Sequence, residues 1–187
     1  MHTHDSGRYW SPYGHAVPTP NIMEFARSAT LFRQAYSAAP TCSPSRAALL
    51  TGMNAHQNGM QGLAHIGFQL NDYNQHLCSY LKSQGFLTVL CGIQHEAPDC
   101  RMIGYDKVLG SQSFNMSDTV NSMENFDYSN TEGACRFISS QTIGSKPFFL
   151  SFGLFNTHRE YPAAHSDIDA NYLAPPPVLY SLHQYRY

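Results

Sequence analysis

This 187-residue chain is poor in charge: Asp, Glu, Lys and Arg together make up 13% of it, about half the share usual for a soluble domain. Neither sign prevails, with 11 basic residues against 13 acidic ones and a net charge of −2. That balance excludes a basic nucleic-acid binder and an acidic disordered tail. Long hydrophobic runs are missing too. The longest, around Phe148 to Phe155, falls far below the roughly 20 residues of a membrane span. The start, Met1-His2-Thr3-His4-Asp5, has neither a basic n-region nor an apolar h-region, so no signal peptide is visible and the chain as it stands is expected in the cytoplasm. The five cysteines (42, 78, 91, 100 and 135) are odd in number and lack framework spacing, which points to a reduced compartment. What the chain has in quantity is tyrosine (12) and histidine (10), the latter titrating near neutrality.

Residues 1–18 read as a loop. Thr19-Pro20 predicts the opening of a helix, with Thr19 as N-cap and Pro20 at the first helical position. Ile22, Phe25 and Ala26 form its apolar stripe. Leu31 to Tyr36 predicts a short strand. Pro44 should hold Cys42 in an extended loop that feeds a helix over Ala47 to Thr51, stopped by Gly52. A helix is expected from Asn71 to Gln84, closed by Gly85, and another from Asp127 to Thr142 with Ala134, Phe137 and Ile138 inward. The apolar runs Phe86 to Cys91 and Phe148 to Phe152 fit strands buried on both faces. Helices alternating with such strands predict an α/β sandwich with a mostly parallel central sheet. Its first central strand should precede Asp5, where only four residues stand. Residues 176–187 carry no clear periodicity and there is no internal repeat. The chain reads as a piece of a domain, incomplete at both ends, with residues 1–175 as its body and 176–187 as a tail.

The sharpest signal is Cys42-Ser43-Pro44-Ser45-Arg46-Ala47-Ala48-Leu49-Leu50-Thr51-Gly52. A cysteine beside a helix N-terminus sits where backbone N–H groups and the positive helix end favour an anion. Arg46, one turn on, can offer a fork of donors to a tetrahedral oxyanion. A cysteine alone in that place is equally a buried residue before an ordinary helix. Cys91, His95 and Cys100 lie close in sequence, yet they lack a Cys-x-x-Cys pair and a fourth ligand for zinc.

The whole string matches, at every defined position, the pattern Cys-x-Pro-Ser-Arg-x-x-Leu-Leu-Thr-Gly, and by it the chain resembles the sulfatase family of the alkaline phosphatase superfamily. Asp5-Ser6-Gly7, Thr19-Pro20-Asn21, Leu31 to Tyr36, Gly92-Ile93-Gln94-His95 and Phe155-Asn156-Thr157-His158 fall where that family places their counterparts. His56 to Met60 and Lys146 to Leu150 are similar to segments of its sulfamidase branch, and the resemblance runs from about residue 3 to 175. It implies the superfamily's α/β sandwich. It also implies that a separate maturation enzyme oxidises Cys42 to formylglycine, and that Ca2+ is held with Asp5 and the modified Cys42 among its ligands. Arg46 would then bind the sulfate, His95 deprotonate the enzyme-bound group and His158 protonate the leaving group. The substrate would be a sulfated small molecule or sugar, as a sulfate ester or N-sulfate. Two positions depart from the pattern: His4 stands where the family has a first metal-binding Asp, and Ile93 where it has a sulfate-binding Lys. Arg159 is either a second anion contact or a rim charge, and His56 and His65 either line the pocket or lie on exposed loops. The family's later metal ligands and smaller C-terminal domain are not found, so the polypeptide alone is expected to be marginally folded with little turnover. A phosphonate or phosphate monoester hydrolase of the same superfamily, or a non-catalytic fragment, are the competing readings.

Overall fold

The computed structural model describes residues 1–110 and 119–158. The chain divides into two compact units, one made of residues 1–4 and 36–161, the other of residues 5–35 and 162–187.

In the described part of the second unit, Thr19-Pro20 opens α1 (Pro20–Ala26) as expected, with proline in the first turn. The Thr19 hydroxyl turns away from its own helix. It lies 2.5 Å from Ser11 Oγ and accepts the Ser11 N–H at 3.2 Å. The Tyr13 hydroxyl donates to the Phe32 carbonyl at 2.9 Å. The predicted apolar stripe is only partly covered: Ile22 and Ala26 are half-buried, while Phe25 stands 69% exposed. Leu31 to Tyr36 forms no strand. Phe32 and Tyr36 project into solvent, and no described strand lies alongside to take up the ladder hydrogen bonds that an extended segment must make.

The first unit carries α2 (Cys42–Thr51), α3 (Ala55–Asn58), α4 (Leu77–Ser83), β1 (Leu87–Gly92), β2 (Lys107–Leu109), α5 (Thr119–Ser139) and β3 (Phe148–Gly153). The three strands make one parallel sheet in the order β2-β1-β3. Leu87 pairs with Phe148 at one end of β1, and Gly92 with Gly153 at the other. From Thr88 to Gly92 the central strand is buried throughout, which is why its sequence is nearly all apolar and does not alternate. A Cβ on Gly92 would come within 2.0 Å of the Gly153 carbonyl oxygen, so only glycine permits the strands to meet there.

The strand expected ahead of Asp5 is present as a single bridge. His2 pairs parallel with Gly153, donating its N–H to the Phe152 carbonyl at 2.9 Å and accepting the Leu154 N–H at 3.1 Å. Parallel strands with helices between them confirm the α/β, mostly parallel sandwich expected from the sequence.

Several element boundaries differ from expectation. Helix α2 starts at Cys42, five residues early, so Cys42 is helical and not extended. Pro44 falls in the first turn, where its missing N–H belongs to the group that has no intrahelical partner anyway. The first helical bond runs from the Ser45 N–H to the Thr41 carbonyl at 3.1 Å. Helix α4 starts at Leu77, not Asn71, because the His76 Nδ1 accepts the Cys78 N–H at 3.1 Å and caps it there. Helix α5 runs from Thr119 to Ser139, not Asp127 to Thr142; Ala134 and Phe137 are buried as expected, but Ile138 is exposed. The edge strand β2 was not anticipated: it is three residues long and exposes Lys107 and Val108. Helix α4 reaches the sheet through Cys78, which clusters with Ala97, Ile103 and Phe149 of β3, while Ala47 packs with Met60, Ala64 and Leu70, and Met123 with Phe126 and Phe155. Cys91 in β1 donates its thiol to the Asn130 carbonyl of α5 at 3.1 Å, so it points into the core and away from any shared site with His95. Arg159 and residues 176–187 lie outside the described residues.

Candidate active site

Because β1 and β3 are parallel, their carboxyl ends open onto the same edge of the sheet, where ligands gather in α/β folds. The loop leaving β1 carries His95, the segment leaving β3 carries His158, and the N-terminus of α2 brings in Cys42. Cys42 is half-buried and free of any disulfide. Its Sγ lies 3.2 Å from His95 Nδ1. The sulfur therefore borders a cluster of polar rings and is not packed into the core.

His95 has a backbone φ of +66°, an uncommon conformation for a side chain of this size. Gln94 fixes that turn. Its side-chain carbonyl accepts the N–H groups of Glu96 at 2.6 Å and Ala97 at 2.9 Å, while its amide donates to the Ala97 carbonyl at 2.7 Å. The second ring nitrogen of His95, Nε2, lies 2.9 Å from His65 Nδ1, and the two rings are 11° from parallel with centroids 5.2 Å apart. The segment bearing His65 is tied to α2: the Ala64 N–H donates at 3.0 Å to the hydroxyl of Ser43, the fully buried neighbour of Cys42.

Arg46 stands four residues after Cys42 on α2, on the same face of the helix. Its Nη1 lies 2.5 Å from His2 Nδ1, so the single bridge that adds His2 to the sheet also delivers a partner to the guanidinium. His158 packs its ring edge-on against His4 at 5.0 Å and lies 4.9 Å from Phe155. The Thr157 hydroxyl donates to the His4 carbonyl at 2.6 Å. From α5, the Asp127 carboxylate accepts two successive N–H groups, of Phe155 at 2.6 Å and Asn156 at 2.9 Å. This clamp holds the segment that carries His158. Asp127→Ala leaves both donors without that acceptor and is expected to cost about 1–3 kcal/mol, read as a lowered urea midpoint, with Asp127→Asn recovering part of it.

Burial dominates the electrostatics. It drives the His2 and His4 rings down to about 3, with Arg46 adding to the shift. The His95 ring falls to about 4, through burial first and then the neighbouring His65 and Arg46. All three are neutral at neutral pH, whereas Arg46 keeps its charge. Glu96, next to His95, is completely buried and its Oε2 has no hydrogen-bond partner among the described residues. Desolvation raises its carboxyl to about 8 against the opposing pull of Arg46, so it carries a proton at neutral pH. The neighbourhood of Cys42 is thus positive in balance and suited to an anion.

The side chains that this unit gathers do not fit calcium. That ion takes six to eight oxygen ligands, and here stand imidazoles, a thiol and a protonated carboxyl. Asp5 is exposed, with a backbone φ of +47°. An imidazole-rich set suits borderline cations better. Ile93, where the resemblance leads one to expect a lysine, packs against the cluster of Met123, Phe126 and Phe155 and brings no cation. Sequence reasoning singled out Cys42, Arg46, His95 and His158 and left His65 open. It missed His2, Gln94 and Asp127; only the strand expected before Asp5 hinted at the first of them.

The family model described as Sulfatase matches residues 3–175 of the chain. Human N-sulphoglucosamine sulphohydrolase is 40% identical over 86 residues, covering 45% of this chain and 17% of its own length. Human N-acetylgalactosamine-6-sulfatase is 35% identical over 121 residues, with 57% and 23% covered. The chain thus spans about a fifth of the length of these curated relatives. A solved structure described as a 2-O GAG sulfatase superposes with a TM-score of 0.63 at 24% identity, over 90% of this chain and 37% of that one. Another, described in complex with its substrate D-glucosamine-2-N,6-O-disulfate, gives 0.59 at 22%, over 81% and 32%. These structural likenesses speak for the fold. With the family model matched from Thr3 onward and the Cys42 to Gly52 string seated at the start of α2, the chain belongs to the sulfatase family.

Proposed function

We propose that residue 42, matured from cysteine to formylglycine, is the nucleophile of a sulfatase that hydrolyses a sulfate ester or N-sulfate on a sugar. The observation that carries this is the Cys42 Sγ at the N-terminus of α2, 3.2 Å from His95 Nδ1 on the loop leaving β1. As an aldehyde hydrate, residue 42 supplies two hydroxyls on one carbon, one to attack sulfur and one whose collapse to the carbonyl expels sulfate. His95 takes the proton of the second hydroxyl, a role its neutral ring suits. His158 gives a proton to the departing alcohol or amine. Arg46 and the first N–H groups of α2 hold the sulfuryl oxygens. A sugar is favoured because relatives and structural neighbours are named for sulfated glucosamine and galactosamine. A divalent cation would help polarise the sulfuryl group, but the donors that the described residues of this unit gather do not fit calcium.

Two observations favour a second reading, a non-catalytic member of the family: Ile93 is packed in an apolar cluster, and burial holds the Glu96 carboxyl next to His95 protonated. One experiment separates the readings. The chain is produced together with a formylglycine-generating enzyme, and the peptide bearing Cys42 is weighed. The proposal expects a loss of about 18 Da from the thiol form. An intact thiol sinks the sulfatase reading. Comparing turnover of an aryl sulfate and an aryl phosphonate then tests the choice between sulfatase and phosphonate hydrolase.

A further inference from the structure

His65 is used by neither the motif nor the mechanism above. We infer that it is a positioning residue: by presenting a bare Nδ1 to His95 Nε2, it holds the His95 proton on Nε2 and leaves the His95 Nδ1 bare toward the side chain of residue 42. Both ring nitrogens of His95 are engaged, Nδ1 at 3.2 Å from Cys42 Sγ and Nε2 at 2.9 Å from His65 Nδ1. A neutral imidazole has one N–H and one bare nitrogen, so two arrangements satisfy these contacts. In the first, Nε2–H donates to His65 and Nδ1 accepts from the thiol. In the second, Nδ1–H points at sulfur and His65 donates to Nε2.

Two considerations select the first. Sulfur is a weak acceptor, so an N–H aimed at it makes a poorer bond than a thiol donating to a bare nitrogen. His65 is also exposed, and an imidazole in water carries its proton mainly on Nε2, which leaves its Nδ1 free to accept. Moving the thiol proton onto His95 would not alter this, since Nε2–H donates to His65 in that state too. The contact is built into the fold. Ser43, beside Cys42, fixes the segment of His65 through the Ala64 N–H, and Gln94 fixes the turn of His95. The catalytic meaning, a base whose bare nitrogen faces residue 42, rests on the sulfatase reading; the proton position does not.

The test therefore needs no activity. The 187-residue chain, with Cys42 as the thiol, is labelled with 15N at histidine, and long-range proton–nitrogen correlation shows which nitrogen of each ring is protonated. His95→Gln identifies the His95 signals. The expected result is a His95 protonated on Nε2. His65→Phe keeps a planar ring without an acceptor, and should lower the ratio of the Nε2–H to the Nδ1–H form about fivefold, the equilibrium equivalent of one hydrogen bond's net ~1 kcal/mol. His65→Asn, whose Oδ1 can stand in for Nδ1, should restore the ratio. An Nδ1–H form in the unmodified chain overturns the inference. So does a ratio unmoved by His65→Phe, or one that His65→Asn fails to restore.

Discussion

Cys42→Ala is expected to lower the rate of sulfate hydrolysis on the order of 10⁶-fold, while leaving the fold in place. The two halves of that expectation come from different features of the site. Cys42 is half-buried at the first position of α2, and the contact of its sulfur is with His95. Removing it opens no core cavity, and alanine is a good helix former, so the melting profile should barely move. Chemically, however, nothing else in the cluster can take its place. Arg46 cannot be deprotonated, and His2, His4 and His95 are neutral rings without a second hydroxyl to expel sulfate. Cys42→Ser separates attack from release. One hydroxyl can displace the alcohol from sulfur, but it has no geminal partner, so one equivalent of alcohol per chain should appear and turnover should then stop. Rapid-quench measurement of released alcohol checks both variants. Sustained hydrolysis by Cys42→Ala would move the nucleophile elsewhere.

The parts of this molecule that were legible in its sequence are those where one segment carries its own pattern. β1 is apolar without alternation because both its faces are covered, and that shows in the letters alone; β3 reads the same way in sequence, yet it is only partly buried and its Phe148 is exposed. The Cys42 to Gly52 string is equally local. What misled was local pattern without a partner. Leu31 to Tyr36 has the composition of a strand, yet no described neighbour pairs with it, and Phe25 in the stripe of α1 is left exposed. Pro44 suggested an extended Cys42, although a proline in a first helical turn costs nothing. β2 is too short to carry any pattern, and exists because the edge of β1 offers a ladder. In the site, His2 and Asp127 escaped notice, and His65 was left open, for a shared reason. Each matters through what it touches across a loop, and nothing in their own neighbourhood in the chain announces it.

Stability should peak near pH 7 and fall steeply on the acid side. Four rings, His2, His4, His76 and His95, are held down to between about 3 and about 4, burial being the leading cause in each. His76 is fully buried as the cap of α4, and its Nε2 has no partner among the described residues. As pH drops below 6.5 the unfolded chain takes up protons on these rings and the folded chain does not, so each ring subtracts about 1.4 kcal/mol per pH unit from stability. Glu96 works in the opposite sense. Its folded value of about 8 lies above the ordinary 4.5, so its stabilising effect is whole below 4.5 and is lost as pH rises to about 8. Between 4.5 and 6.5, four groups outweigh one, leaving a net loss of about 4 kcal/mol for each unit of acidification. A whole domain has about 5–15 kcal/mol to lose, so the chain is expected to unfold before pH 4.5. Above about pH 7 the shallower decline of Glu96 prevails. Denaturant midpoints measured from pH 4.5 to 8.5 read both limbs. Glu96→Gln should flatten the alkaline limb and leave the acid one. His76→Asn keeps an acceptor at the cap of α4 and should lower the acid slope by about a third, since one of a net three groups is removed. A midpoint that stays level between pH 5 and 7 would mean that these rings are not shut away from water, and with that the neutral His95 that the chemistry needs would be lost.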